Sequence, residues 1–314
     1  MPRVTVVQPT PSTGLERAVD DYLSSCRARG LSPRTMTAYA NPLRRVFLPW
    51  CADQGVAEVA ELDQRTLDRF TAHLLEAGGA NGALSKFSVA AYVRPVRQLL
   101  AWAGKEGEAV AGKPQVPRLP RRVLDVLNRE EIARLEEGGI AERDQLIIRL
   151  LADTGMRVGE LVDLRTDAIV RQGRDAYLRV HGKGDIERLV PVSPSMVRRL
   201  ERYLRSRRAD TYSDRMFLAL RRGRDGVYGA LTVSGVEQLV RTAAQNAGLD
   251  IHRVHPHALR RAYVTHALRG GMNPMLVAQV VGHSSLRMIE QVYSHLTVSD
   301  AHAAVMRLLT QEKA

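Results

Sequence analysis

The chain has 314 residues, enough for one or two domains with a core each, and its hydrophobic and charged contents of 45% and 25% are those of a globular protein. Because 46 Lys and Arg outnumber 34 Asp and Glu, the net charge of +12 favours a polyanionic partner, with nucleic acid the first choice. No apolar run reaches the length of a membrane span, and two cysteines, Cys26 and Cys51, make no disulfide framework and indicate a reducing, cytoplasmic compartment.

Helical periodicity dominates residues 14–105 and predicts a small all-α domain, after a flexible leader at residues 1–13. Ser32 and Pro33 are typical of a helix start, because a serine side chain can cap the first turn and proline fits the first helical position. Four helices are predicted, and they begin near Leu15, Ser32, Asp63 and Ser85.

Residues 106–122 change in composition to Gly, Lys, Pro and Arg, and they end in the run Pro117-Arg118-Leu119-Pro120-Arg121-Arg122. Prolines prevent a helix here and favour an extended connector. The basic residues suit contact with a phosphate backbone, although a solvated linker has the same composition. We interpret this segment as a basic, proline-rich linker between two domains.

Residues 123–314 predict a second domain that is mainly helical with a small β-sheet, so that the fold class is α+β. Tyr177–Val180 and Arg188–Val192 are predicted to be two strands, joined by a hairpin-like connection at Gly182–Asp185. Helices are predicted to begin near Asn128, Arg143, Pro194, Pro256, Asn273 and Ser284 or Ser285, with an amphipathic tail helix from about Ser299.

Two arginines of this second domain are candidates for binding a phosphate. A phosphodiester resists attack because the charge on its non-bridging oxygens grows towards the transition state, so a catalyst needs cations there. Arg157 follows Thr-Gly-Met, and Arg260 lies three residues after His257 on the same face of a predicted helix. In isolation, Arg157 fits a surface ion pair with Glu160 or Asp163 equally well.

Three further residues supply the other groups that attack on a phosphodiester requires. Lys183 lies between two glycines, which is typical of an exposed loop tip but also suits a mobile ammonium that protonates a leaving oxygen. His283 and Tyr293, taken singly, are more typical of structural residues. A phenol with a pKa near 10 also needs help to attack at neutral pH.

We expect neither a metal ion nor a cofactor. His252, His255 and His257 lie close together in the sequence, but no cysteine is near them and Pro256 breaks the spacing of a zinc site.

Taken together, these motifs resemble the tyrosine recombinase family, also called phage integrases, over nearly the whole chain. The resemblance is carried by Thr154-Gly155-Met156-Arg157-Val158-Gly159-Glu160-Leu161, His181-Gly182-Lys183-Gly184, His257-Ala258-Leu259-Arg260, Val281-Gly282-His283-Ser284-Ser285 and Val292-Tyr293-Ser294-His295. It implies that residues 14–105 form the family's core-binding, SAM-like domain and residues 123–314 its catalytic domain with a tail helix. The two domains would form a C-shaped clamp around DNA.

The same resemblance implies a role for each site residue. The catalytic residues would be Arg157, Lys183, His257, Arg260, His283 and Tyr293. Arg157 and Arg260 would clamp the scissile phosphate, with Glu160 holding Arg157. His257 would accept the phenolic proton, His283 would donate a hydrogen bond to a non-bridging oxygen, and Lys183 would be the general acid. Tyr293 would become linked to the 3′-phosphate.

The implied activity is site-specific cleavage and rejoining of double-stranded DNA. The enzyme would act as a homotetramer on synapsed DNA, as a monomer or dimer on single sites, or with a heteromeric recombinase partner, in the cytoplasm at the nucleoid and not on a membrane. Only about a dozen residues precede the first helix, so we expect a compact two-domain, Xer-like or simple integrase. Arg261, where the family often has histidine, and Val281, in place of leucine, depart from the family pattern.

Two alternatives use the same features. One is a DNA-binding relative, or directionality partner, that recognises a site without cutting it, although no catalytic residue is missing here. The other is a type IB topoisomerase, which performs the same chemistry as a monomer.

Overall fold

A computed structural model describes residues 13–78, 82–119, 125–182, 187–207, 213–223, 226–282 and Met306. The chain divides into two compact units, Met1–Arg122 and Val123–Ala314, and each has a hydrophobic core of its own. Within the described ranges the chain is mostly helical, and one small antiparallel sheet lies in the second unit. The predicted fold class is therefore confirmed. None of the described helices has the length and apolarity needed to cross a membrane.

The first unit is helical, as predicted. Its α-helices are α1 (Gly14–Ala28), α2 (Pro33–Pro42), α3 (Leu48–Asp53), α4 (Gln64–Glu76) and α5 (Lys86–Lys105), with a π-helical segment at Leu43–Phe47 and a 3₁₀ turn at Val59–Glu61. The side chains of Ser32, Asp63 and Ser85 each accept a hydrogen bond from the backbone N–H three residues later, at 3.2, 2.7 and 3.2 Å. These caps begin α2, α4 and α5 where the sequence predicts helix starts. The second predicted helix is divided by the π-helical segment.

An aromatic cluster forms the centre of the first unit. The fully buried ring of Phe70 on α4 meets Phe47 edge-on, with 5.1 Å between ring centroids, and Trp50 at 5.2 Å. Aromatic rings at these separations add specific contacts to the burial of a large apolar area. The π-helical segment and α3 are thereby packed against α4.

Residues 108–119 of the predicted linker form neither helix nor strand, and part of this stretch packs on the first unit. Val110 and Val116 contact the first core, and Pro114 is buried. The backbone N–H of Lys113 donates to the Gln64 side chain at 3.1 Å. The prolines correctly predict that this segment is not helical. Its few apolar residues did not predict that it packs on the core.

The second unit combines helices with a three-stranded sheet of order β1-β2-β3. Its elements are α6 (Arg129–Glu137), α7 (Glu142–Thr154), α8 (Val158–Asp163), β1 (Ile169–Gln172), β2 (Asp175–His181), β3 (Glu187–Pro191), α9 (Pro194–Ser206), α10 (Val233–Asn246), α11 (Pro256–Arg269) and α12 (Pro274–Val281). The predicted pairing of β2 with β3 is confirmed, with Tyr177 opposite Pro191 and His181 opposite Glu187. The sequence did not predict β1, α8 or α10. The predicted helix around Tyr293 and most of the predicted tail helix lie outside the described residues.

Two glycines end the helices that lead into the candidate site. Gly155 follows α7 with a φ of 60°, and Gly282 follows α12 with a φ of 67°. Both values lie in the left-handed region, which glycine adopts without steric cost. The chain therefore turns sharply just before Arg157 and just before His283.

We expect Phe70→Ala to lower the free energy of unfolding of the first unit by about 3–5 kcal/mol, because it leaves a cavity between Phe47 and Trp50. Both tryptophans of the chain, Trp50 and Trp102, lie in this unit, so urea denaturation followed by tryptophan fluorescence reports on it selectively. The control Phe70→Leu retains most of the apolar volume and should lose less. Equal losses for the two variants would contradict the cavity argument.

Candidate active site

Arg157 is held at the start of α8 by Glu160. The backbone N–H of Arg157 and one terminal nitrogen of its guanidinium each donate to the Glu160 carboxylate, both at 2.8 Å. The other terminal nitrogen donates to the carbonyl of Gly282 at 2.8 Å. The Arg157 side chain is 42% exposed, whereas that of Glu160 is only 5% exposed. Arg157 therefore faces solvent, and a buried carboxylate fixes its position. This is not a surface ion pair, in which both partners are exposed.

Arg260 reaches the same place from α11. Its two terminal nitrogens donate to the carbonyl of Gly155 at 2.6 Å and to the carbonyl of Val281 at 2.7 Å. Val281 is the neighbour of Gly282 in the chain, so Arg157 and Arg260 bind consecutive carbonyls. These carbonyls lie at a helix C-terminus, where no later N–H of the helix satisfies them and the helix dipole attracts cations. The fold thus places the two predicted phosphate-binding guanidiniums side by side.

Sequence reasoning missed a third arginine, Arg188 on β3. Its terminal nitrogens donate to both oxygens of Glu160, at 3.0 and 2.8 Å, and its Nε donates to the carbonyl of Val280 at 2.9 Å. The strand sequence alone gave no signal, because Leu189 and Val190 place an apolar residue on each face. Arg188 lies on the inner face of β3 with the buried Val190, whereas the apolar Leu189 points outwards.

Among the described residues, Glu160 is the one carboxylate bonded to this cluster, and it pairs with Arg157 and Arg188. Three guanidiniums and one carboxylate leave a surplus of two positive charges. Burial alone would raise the pKa of Glu160, but hydrogen bonds from Arg188 and Arg157 outweigh it, so the pKa is lowered and Glu160 stays ionised. Burial is also the main reason why the pKa of Arg260 falls to about 10, and the charges of Arg157 and Arg188 act in the same direction. A bound anion would relieve this repulsion. The cluster is therefore suited to hold a phosphate.

His257 lies one helical turn before Arg260 on α11, and its side chain is exposed. Its pKa is lowered, first because neighbouring protein atoms partly remove it from water, and then by the charges of Arg261, Arg260, His255 and Arg157. A lowered pKa keeps the imidazole neutral at pH 7, and a neutral imidazole can accept a proton.

The neighbouring histidine has a structural role. The Nδ1 atom of His255 accepts the backbone N–H of Ala258 at 3.2 Å and so caps α11, and its ring stacks on that of His257 with 6.4 Å between centroids. In the part of the chain that the structure describes, no group of His, Cys, Asp or Glu residues is arranged to hold a metal ion.

Arg261, the departure from the family pattern, is half-buried beside His257. Its Nε is buried and has no hydrogen-bond acceptor among the described residues. The charge of Arg261 is the second-largest cause of the lowered pKa of His257, after burial. This substitution therefore favours the neutral imidazole.

Three of the predicted site residues, Lys183, His283 and Tyr293, lie outside the described residues. The structure brings together Arg157, Arg260, Glu160 and His257, and it adds Arg188. Gly282 precedes His283 directly, and it belongs to the cluster through its carbonyl.

Comparison with known proteins agrees with this two-unit fold. Residues 124–300 match the family described as "Phage integrase family", and residues 19–107 match "Phage integrase, N-terminal SAM-like domain". Tyrosine recombinase XerD of Mycobacterium tuberculosis is 32% identical over 86% of this chain and 89% of its own length. Tyrosine recombinase XerA of Thermococcus kodakarensis is 31% identical over 94% of each chain.

A solved structure supports the fold. The XerH site-specific recombinase bound to palindromic difH substrate, in a post-cleavage complex, has a TM-score of 0.70 at 21% identity, over 91% of this chain and 83% of that one. The two matched families cover most of the chain and indicate an enzyme that cleaves DNA strands. The chain belongs to the phage integrase family and is a tyrosine recombinase.

We expect Gly155→Ala to lower the free energy of unfolding by about 1–3 kcal/mol, because of its positive φ and because the new Cβ would lie 2.5 Å from the Tyr263 ring. Gly159→Ala is the matched control. It adds the same methyl group within α8, where nothing lies within 4 Å, and should be neutral or slightly stabilising. Urea denaturation followed by far-UV circular dichroism compares the two variants, and equal stability would refute the argument.

Proposed function

We propose that this tyrosine recombinase cuts and rejoins double-stranded DNA at specific sites through a 3′-phosphotyrosine intermediate on Tyr293. The observation that carries the proposal is the pair Arg157 and Arg260, held on consecutive carbonyls with a surplus of positive charge around them. All six residues that the family resemblance calls for are present in the expected order, which favours a cutting enzyme over a silent DNA-binding relative.

The two arginines are suited to the non-bridging oxygens of the scissile phosphate. A guanidinium has five N–H groups and stays charged, and each of these two spends two nitrogens on bonds to the described residues. Because both are fixed before substrate arrives, they stabilise the growing negative charge with little reorganisation. In this proposal His283 donates a further hydrogen bond to one of these oxygens.

The proton transfers follow from the remaining residues. His257, neutral at pH 7, takes the proton from the Tyr293 hydroxyl as its oxygen attacks phosphorus. Lys183 gives a proton to the departing 5′-oxygen. One phosphoester bond breaks as another forms, so the phosphotyrosine conserves the bond energy, and the reverse steps join the phosphate to a new 5′-hydroxyl without ATP.

The proposed partners and domain roles rest on the comparisons. Residues 14–105 would be the core-binding, DNA-binding domain and residues 123–314 the catalytic domain, joined by the basic linker. One structural neighbour is a lambda integrase tetramer bound to a Holliday junction, and this neighbour supports a tetramer on synapsed DNA for the present chain. A related recombinase as second subunit fits equally. The enzyme would act in the cytoplasm, at the nucleoid.

Tyr293→Phe removes the attacking hydroxyl but no positive charge. We expect it to bind its DNA site as the unchanged protein does and to form no covalent adduct. A nicked suicide substrate, followed by denaturing electrophoresis, detects the adduct, and a mobility shift measures binding. An adduct that persists in the variant would place the nucleophile elsewhere. Exchange of strands between two linear sites separates a recombinase from a topoisomerase, which would only relax supercoils.

The lowered pKa of His257 predicts the pH dependence of cleavage. Because the neutral imidazole is the base, adduct formation at subsaturating DNA should be constant around pH 7 and fall only below the ordinary histidine pKa of 6.5. His257→Gln should lower the plateau by about 10²-fold and remove this acidic limb. A midpoint at or above 6.5 in the unchanged protein would contradict the assignment.

A further inference from the structure

Arg188 occupies an unusual place for a charged residue. It lies on the sheet face that carries the buried Val190, and only 13% of its side chain is exposed. A buried guanidinium is costly unless it is paired and hydrogen-bonded. Arg188 therefore needs the partners that it has in Glu160 and Val280.

The carboxylate of Glu160 is shared evenly between two arginines. One oxygen accepts from the guanidiniums of both Arg157 and Arg188, and the other accepts from the Arg157 backbone and from Arg188. Arg188 thus makes a two-pronged contact that fixes the orientation of the carboxylate. Glu160 in turn fixes Arg157, whose side chain is the more exposed of the two arginines.

Arg188 also anchors the peptide segment to which the two phosphate-binding arginines are bound. Val280, Val281 and Gly282 accept from Arg188, Arg260 and Arg157 in that order. The guanidinium of Arg188 lies flat against Gly282, where an added Cβ would be 3.0 Å from its Cζ atom. Arg188 thus hydrogen-bonds the end of this segment to β3.

We propose that Arg188 is a positioning residue of the recombinase, and this inference rests on the proposed function. Arg188 does not touch the substrate. It holds Glu160 on one side and the end of α12 on the other, and so sets the spacing of Arg157 and Arg260 around the phosphate. Misplacement of a catalytic group by about 1 Å can slow a reaction by about 10²-fold.

The test compares Arg188→Met, which keeps the volume, with Arg188→Lys, which keeps the charge. Single-turnover adduct formation on a suicide substrate at saturating enzyme should slow by roughly 10- to 100-fold in both variants, because neither side chain can bind both Glu160 oxygens and the Val280 carbonyl. Affinity for the DNA site should change by less than about threefold, since Arg188 is not exposed for contact with a phosphate.

A matched control removes another sheet arginine that pairs with a glutamate. Arg171 on β1 contacts Glu201 and is 62% exposed. Arg171→Gln loses the same single charge from the same sheet, and its rate of adduct formation should be unchanged. The control therefore shows whether a slower rate comes from the loss of Arg188 at its particular position or from the loss of one positive charge.

The double variant Glu160→Gln, Arg188→Met guards against a loss of folding. It removes both members of the buried pair, and a buried ion pair replaced as a whole is tolerated far better than a single unpaired charge. Thermal unfolding should therefore be closer to the unchanged protein than in Arg188→Met, while adduct formation stays slow. Recovery of both stability and rate would show a purely structural role and overturn the inference.

The remaining outcomes are distinct. Full cleavage by Arg188→Lys would show that charge alone matters, and full cleavage by Arg188→Met would show that the residue does not matter; either result overturns the inference. If the unchanged protein forms no adduct in the same assay, the proposed function itself fails. Slow cleavage with retained DNA affinity, in a folded variant, supports the positioning role.

Discussion

The site depends on the backbone carbonyls of three consecutive residues at the end of α12, Val280, Val281 and Gly282. A helix C-terminus leaves its last carbonyls without partners, and here each is satisfied by an arginine from a different element. One arginine comes from a strand, one from α11 and one from the turn after α7. Residues that are far apart in the chain are thereby fixed at one point, and the helix end and the guanidiniums orient each other.

This arrangement concentrates positive charge in one place. Three guanidiniums lie together with one carboxylate among the described residues, and burial next to other cations lowers the pKa of Arg260 to about 10. Sites that perform chemistry commonly keep such unfavourable electrostatics, because the ligand removes them. In the proposed function, a phosphodiester would bring the missing negative charge, so part of the repulsion in the free protein would be converted into affinity for the phosphate and for its more highly charged transition state.

The charged groups depend in turn on backbone geometry. Gly155 supplies a left-handed turn and a carbonyl for Arg260, and the Tyr263 ring packs where a side chain at that position would lie. Gly282 has the same backbone conformation, and Arg188 occupies the space beside it. In both places a positive φ favours glycine, and at Gly155 the Tyr263 ring also leaves no room for a Cβ. The glycines of the two motifs are thus explained by the left-handed turns that end α7 and α12.

The sequence alone determined what depends on short stretches of chain. Caps such as Ser32 and Asp63, the hairpin of β2 and β3, the glycine ends of α7 and α12, and the pairing of Arg157 with Glu160 all involve residues a few positions apart. Only the tertiary structure decided that Arg188 points inwards, shares Glu160 and reaches Val280, because which face of β3 is buried depends on α12, a helix far along the chain. The sequence did not predict the short edge strand β1 or the packing of the linker, because both depend on contacts with other segments. Local sequence patterns indicate which helix or strand a segment forms. Which side chains are buried, and which charges pair, depends on contacts between distant segments.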